Sequence, residues 1–166
     1  MAASPPLLRD FRAADAAHVS AIALAAFDEF KSHYTDWPAL AGIYGDISGL
    51  IKNGEIIVAE MENRIAGAVA YMPPGRPKAS YFQREWPAIR MLVVDPSCRG
   101  NGIGRALTQE CLARARRDRS LVIALHTSPI MTVALPMYLR MGFELAYDAP
   151  PVFGVPYAVY LKRLDA

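Results

Sequence analysis

Cysteine is scarce in this chain. Cys98 and Cys111 are the only two in 166 residues, and they form no CxxC pair and no disulfide framework. Three scattered histidines leave no spacing that suits a metal cluster. No lysine lies between Lys78 and Lys162, which removes the Gly-Lys-Ser/Thr core of a nucleotide P-loop from that stretch. No apolar run approaches the roughly twenty residues that span a bilayer. Met1-Ala2-Ala3-Ser4-Pro5-Pro6 lacks the charged region and apolar core of a signal peptide. Charge of one sign is missing too: a formal net charge of +2 gives no footing for nucleic acid. The expectation from these absences is a soluble cytoplasmic protein with reduced thiols, no metal, and neither nucleic acid nor membrane as a partner.

What is present is a core. Hydrophobic residues make up 53% of the chain, enough for one packed domain over residues 1–166. Leu7–Arg12 reads as a strand. Asp15 is placed to cap a helix running to about Phe30. After a break at His33–Pro38, Asp36 caps a second helix with Pro38 in its first turn. That helix is expected to end at Asn53-Gly54 in a left-handed stop. Glu55–Met61 and Arg64–Tyr71, joined by Glu62-Asn63, read as an antiparallel hairpin. The loop from Pro73 to about Pro87 carries Tyr81, Phe82 and Trp86. Further on, Ile89–Val94 and Leu121–His126 read as buried strands, and Ile103–Arg117 and Pro129–Met141 as helices. Phe143–Tyr147 and Tyr157–Lys162 close the sheet, separated by a Pro-rich turn.

The most informative segment joins the Ile89–Val94 strand to the helix at Ile103. It reads Val94-Asp95-Pro96-Ser97-Cys98-Arg99-Gly100-Asn101-Gly102-Ile103-Gly104-Arg105. Glycine at 100, 102 and 104 strips side chains from a strand-to-helix turn, so backbone N–H groups and a helix N-terminus face outward together, a phosphate cradle. The spacing is one residue tighter than the dinucleotide fingerprint G-x-G-x-x-G. From the glycines alone, a ligand-free turn also fits.

The pattern hydrophobic-x-Val-x-Pro-x-x-Arg-Gly-x-Gly-Ile-Gly resembles the acyl-CoA motif of the GNAT superfamily of N-acetyltransferases, with Arg99, Gly102 and Gly104 in the signature positions. A second block about thirty residues on, Ala134-Leu135-Pro136-Met137-Tyr138-Leu139-Arg140-Met141-Gly142-Phe143, is similar to the family's Ala-x-x-x-Tyr-x-x-x-Gly-Phe segment. The resemblance is strong over Ile89–Phe143 and elsewhere rests on element order.

The resemblance implies an α/β (α+β) fold: a mixed sheet of about six to seven strands, about four helices, and a splayed V between the fourth and fifth strands. It implies acetyl-CoA as cosubstrate and direct transfer of its acetyl group to a primary amine in a ternary complex. By the same resemblance, Arg99, Gly100, Asn101, Gly102, Ile103, Gly104 and Arg105 would hold the pyrophosphate. Leu92, Val93 and Val94 would pair with the pantetheine arm. Tyr138 would be the general acid at the leaving thiolate, although its helical stripe with Met131, Ala134 and Leu135 also suits a core residue. Two positions depart from the family pattern: Met131 stands where the family often has Asn, with Thr127 or Ser128 as replacements, and Pro136 should kink the helix before Tyr138.

Glu85 is the nearest carboxylate upstream of the Ile89 strand and the candidate base. Glu29 and Asp36 read as surface charges, with binding of a cationic acceptor as the alternative. Tyr81, Phe82 and Trp86 either wall the acceptor pocket or anchor their loop, and His126 reads as structural. Arg114, Arg116, Arg117 and Arg119 read as a solvated last turn, with a contact to the CoA 3′-phosphate as the alternative. The acceptor is a small-molecule amine or a protein amine, and the family's C-terminal strands admit a homodimer. Two other classes stay open: a non-catalytic acyl-CoA-binding sensor module, and a nucleotide-binding switch, which the missing Lys and Ser/Thr weaken.

Overall fold

The computed structural model describes residues 4–165. Met1–Ala3, where the reading of the leader begins, lie outside the described residues. In chain order the elements are β1 (Leu7–Asp10), α1 (Ala16–Phe27), α2 (Trp37–Gly45), α3 (Ser48–Asn53), β2 (Glu55–Met61), β3 (Arg64–Met72), β4 (Ala88–Val94), α4 (Ile103–Arg117), β5 (Val122–Thr127), α5 (Ala134–Arg140), β6 (Glu144–Val152) and β7 (Val155–Arg163). The seven strands form one mixed sheet in the order β1-β2-β3-β4-β5-β7-β6. Every neighbouring pair is antiparallel except β4 and β5.

Side-chain alternation along the central strands divides the core into two layers. Ile57, Val69 and Tyr71 pack with Ile103, Leu107 and Cys111 of α4. Ile56, Val58, Ala68 and Ala70 face the other way, onto Val19, Ile22, Ala23 and Ala26 of α1. The hairpin turn puts both Glu62 and Asn63 at positive φ (51° and 61°), the pair of left-handed residues that matches the twist of two-residue hairpins.

Several local expectations need correction. Asp15 occupies the N-cap position of α1 but does not cap it. Its carboxylate accepts instead from the Arg12 N–H at 2.8 Å and from the Arg9 guanidinium at 2.8 and 3.0 Å. The α1 helix gives way to a 3-10 segment over Asp28–His33. Asp36 does cap α2, accepting from Ala39 N–H at 3.1 Å. The expected second helix is two, α2 and α3, which gives five α-helices among the described residues. Gly54 is extended, with φ −135°, because β2 starts at the next residue. Glycine is needed there for space: a Cβ would come 2.6 Å from Met72 Sδ and 3.0 Å from the Tyr71 carbonyl. Pro136 kinks nothing. The α5 helix begins at Ala134, so Pro136 lies in its first turn, where a missing N–H costs no intrahelical bond. Pro150 and Pro151 belong to β6, not to a turn. As the edge strand, β6 accommodates them at a register shift between Ala149 and Val152.

Gly67 on β3 sets how closely α4 approaches the sheet. A Cβ there would lie 2.8 Å from the Val93 carbonyl oxygen and 2.9 Å from Ile103 Cγ2. Both are held by the core, so Gly67→Ala should lower stability by about 1–3 kcal/mol, the usual cost of overpacking. Chemical denaturation of the variant against the parent protein measures this.

Candidate active site

At the end of β4, Asp95 folds the chain into a 3-10 turn, Pro96–Cys98, accepting from the Ser97 N–H at 2.9 Å and its hydroxyl at 2.8 Å. The Cys98 side chain is buried, and the backbone then turns through Gly100 and Gly102 at φ +82° and +75°. A Cβ at either glycine would meet nothing within 4 Å, so these positions demand glycine for backbone conformation and leave open space in front. Asn101 braces the turn by donating to the Cys98 carbonyl at 2.8 Å. Gly102 is the N-cap of α4 and offers no capping side chain. The first internal bond of the helix is Ala106 N–H to the Gly102 carbonyl, which leaves the N–H groups of Ile103, Gly104 and Arg105 without an acceptor among the described residues.

Those open donors border a cavity of about 630 Å³, also lined by Leu92, Val93, Val94, Arg99, Arg105 and Arg140. Arg99 reaches across to Glu29 at 2.6 Å, tying the segment after α1 to the glycine turn. The arginines at the other end of α4 take no part. Arg114 binds Asp10, Glu55 and Glu110, and Arg117 binds Glu55 and Asp118, which fastens α4 to β1 and β2.

The cavity reaches Leu92, Val93 and Val94 of β4, past the point where β4 and β5 separate. These strands pair only at Ala88↔Ala124 and Ile89↔Leu125 and then part. Beyond Arg90, β4 bulges. Met91 has φ +53°, and Met91 and Leu92 together oppose the single residue Val69 of β3. No glycine marks this bulge in the sequence. A second cavity of about 490 Å³ opens on the far side of the gap, and Phe27, Leu92, Met131 and Ala134 line both.

Tyr138 lines this second cavity from α5 and is 5% exposed. Its ring meets Phe143 edge-on at 5.7 Å. Burial pushes the phenol pKa well above its ordinary value, so the hydroxyl keeps its proton at neutral pH. Thr127 lines the same cavity, whereas the Ser128 hydroxyl accepts from Ile130 N–H at 3.3 Å.

The rest of this cavity was mostly not singled out in the sequence. Tyr44, Phe82 and Tyr157 form aromatic walls, with Arg90 and His126 among them. His126 is stacked between Tyr81 and Tyr157 at 4.1 and 4.6 Å. Its Nε2 is buried with no partner among the described residues. Desolvation, then the charge of Arg90, lowers its pKa to about 4, so the ring is neutral at pH 7. Of the loop aromatics, Phe82 reaches the cavity, Tyr81 reaches it through His126, and Trp86 packs into the core layer on the α1 side. Lys78 pins that loop by donating to the carbonyls of Pro73, Arg76 and Arg84 at 2.7 to 3.1 Å. Glu85 is exposed and lines neither cavity, so the structure does not bring it to Tyr138. Arg90 did carry a signal: it is a lone charge inside the apolar run Ile89–Val94.

Comparison with known proteins identifies the family. A family model described as the acetyltransferase (GNAT) family matches residues 18–143. The chain belongs to the GNAT acetyltransferase family. This GNAT chain is 34% identical over 97 residues to N-acetyltransferase 8F1 of Rattus norvegicus, covering 58% of the chain but only 42% of that protein. It is 29% identical over 121 residues to the glucosamine 6-phosphate N-acetyltransferase of Trypanosoma brucei brucei, covering 70% of the chain and 79% of the relative. Among solved structures, a GCN5-related N-acetyltransferase from Rhodopseudomonas palustris superposes with a TM-score of 0.75 at 19% identity, over 99% of both chains. The yncA protein of Salmonella typhimurium, solved with its cofactor acetyl-CoA, superposes with a TM-score of 0.69 at 20% identity, over 98% of this chain and 96% of that one. At these identities the structural likeness establishes the shared fold. No described helix is long and apolar enough to cross a membrane.

The neutral His126 links stability to pH. An unfolded histidine takes up its proton near pH 6.5, the folded one near pH 4. Between these values the unfolded chain binds more protons, so stability falls as pH falls. The thermal midpoint of the native protein should therefore drop between pH 6.5 and pH 4. In His126→Phe, which keeps the ring stack, the drop should be shallower; equal slopes in differential scanning calorimetry would show that another group is responsible.

Proposed function

We propose that this chain transfers the acetyl group of acetyl-CoA to the primary amine of a small molecule by direct attack in a ternary complex. The observation that carries the reading is the union of two features. Three N–H donors at the head of α4, without an acceptor among the described residues, border one cavity, and a second cavity bearing Tyr138 adjoins it through the shared walls of Phe27, Leu92, Met131 and Ala134. The donor set suits a diphosphate: backbone N–H groups at a helix N-terminus, with the Arg105 and Arg140 side chains on the same cavity wall. Arg99, Gly100, Asn101, Gly102 and Gly104 shape this cradle, and Leu92, Val93 and Val94 offer the backbone edge along which an extended pantetheine arm would lie. Acetyl-CoA, when bound, supplies the thioester carbonyl and the thiolate leaving group.

In this reading the acceptor nitrogen forms the new C–N bond at the thioester carbon, the C–S bond breaks, and the amine's proton is released. Tyr138 holds its proton on its oxygen and donates a hydrogen bond to the departing sulfur. A thiol has an ordinary pKa of about 8.5, and the Tyr138 phenol is a weaker acid than that. Its contribution is thus stabilisation of the developing charge rather than complete proton transfer. The Arg90 charge in the same cavity disfavours an ammonium ion, so the acceptor reacts as the free amine. A cavity of about 490 Å³ is the size of a small-molecule site. The trypanosomal relative, named for glucosamine 6-phosphate, belongs to the same substrate class.

A sensor that binds acyl-CoA without turnover is favoured by one observation, the exposed Glu85, which leaves the acceptor cavity without that carboxylate as a base. Purified protein incubated with acetyl-CoA and a panel of amines separates the two. Amine-dependent release of free thiol is expected, and tight CoA binding without thiol release on any amine would establish the sensor. Tyr138→Phe should lower kcat roughly 10²–10³-fold, the loss typical of removing one preorganised donor, with little change in the affinity for acetyl-CoA. An unchanged kcat in stopped assays would remove Tyr138 from the reaction.

A further inference from the structure

Arg90 is out of balance with its surroundings. Three arginines among the described residues are half-buried: Arg9, Arg90 and Arg114. Arg9 is held by Asp15 and Glu60, and Arg114 by Asp10, Glu55 and Glu110. Arg90 has no carboxylate within 4 Å and donates no side-chain hydrogen bond among the described residues. Its guanidinium lies 5.8 Å from the ring centroids of both Tyr81 and Phe82. Those rings shield one side of a cation whose N–H donors meet no protein acceptor among the described residues, and a half-buried charge without a counter-charge is costly.

Its place in the fold gives the imbalance a meaning. Arg90 lines the 490 Å³ cavity that also holds Tyr138, and it directly precedes the β4 bulge at Met91. The other charged groups of that cavity are already engaged. Lys78 is bound to three backbone carbonyls, and the Asp46 carboxylate accepts from Ser48 N–H at 3.1 Å. The charge of Arg90 is felt within the cavity, since it contributes to keeping His126 neutral. A planar guanidinium on a rigid strand, backed by aromatic faces, is built to receive an oxyanion in a forked pair of hydrogen bonds.

We infer that the acceptor amine carries an anionic group, a carboxylate or a phosphate, which pairs with Arg90 at one end of the cavity while the amine is presented to the thioester at the other. This rests on the acetyltransferase reading above and narrows its substrate to small acid-bearing amines. Arg90 touches the substrate away from the reacting atoms, so it sets specificity and does not enter bond making.

The test uses matched pairs that differ only in the anionic group. Phenylalanine against 2-phenylethylamine probes a carboxylate, and glucosamine 6-phosphate against glucosamine probes a phosphate. The native protein should favour the acid-bearing member of at least one pair by roughly 10- to 100-fold in kcat/KM. The pair that shows the preference identifies the anion. Arg90→Met should bring that ratio close to one, mainly through KM for the amine, with KM for acetyl-CoA unchanged; Arg90→Lys should retain part of the preference. Turnover of amines with no preference for the acid-bearing members would overturn the proposal while leaving the acetyltransferase reading intact. So would an Arg90→Met variant that keeps the native ratio. If no amine is turned over, the acetyltransferase reading fails, and the same pairs are titrated into CoA-loaded protein by calorimetry. Binding of an acid-bearing member alone, lost in Arg90→Met, would support the proposal; no binding, or equal binding within each pair, would overturn it.

Discussion

Parallel pairing between β4 and β5 stops after two residue pairs, and the rest of the site depends on that failure. A continued ladder would close the sheet where the two cavities adjoin. Two features hold the strands apart. The bulge at Met91 turns β4 out of register with β3, and β5 commits its other edge to β7 over its full length, from Val122 to Thr127. Strand edges normally seek a partner, and the gap in mid-sheet leaves one backbone edge of Leu92–Val94 without a strand partner among the described residues.

The gap alone would be an apolar slot. The glycine turn adds polarity beside it, because three N–H groups at the start of α4 have no acceptor among the described residues. At the other end the aromatic walls and Arg90 impose a different demand. The first cavity thus carries backbone N–H donors, Met131 lies on the wall shared with the second, and the second holds Tyr138 and Arg90. Ion pairs elsewhere on the surface, such as the Arg114 and Arg117 network, brace α4 and keep the turn in place without touching it.

Much of this was legible before the structure. The Ile, Val and Ala content of Glu55–Met61 and Arg64–Tyr71, joined by Glu62-Asn63, announced the β2–β3 hairpin. The helix over Ile103–Arg117 was readable to the residue, because apolar spacing, a preceding glycine run and a basic last turn all agreed. Where two local rules competed, the reading slipped. Asp15 is a good capping residue, but Arg9 lies beside it on β1 and takes the carboxylate. Pro136 breaks helices, but α5 starts late enough to place it in the first turn. Pro150-Pro151 resembles a turn, but an edge strand needs only one of its two backbone edges.

The sequence alone determined the glycine turn, its helix and the family to which the chain belongs, because those depend on backbone freedom and on residues close together along the chain. Only the tertiary structure decided what lines the second cavity. Tyr44, Arg90, His126 and Tyr157 come from four separate elements, and no spacing rule relates them. They meet because two strands part and a loop folds over the opening, so their chemistry is set by long-range packing that no local pattern records.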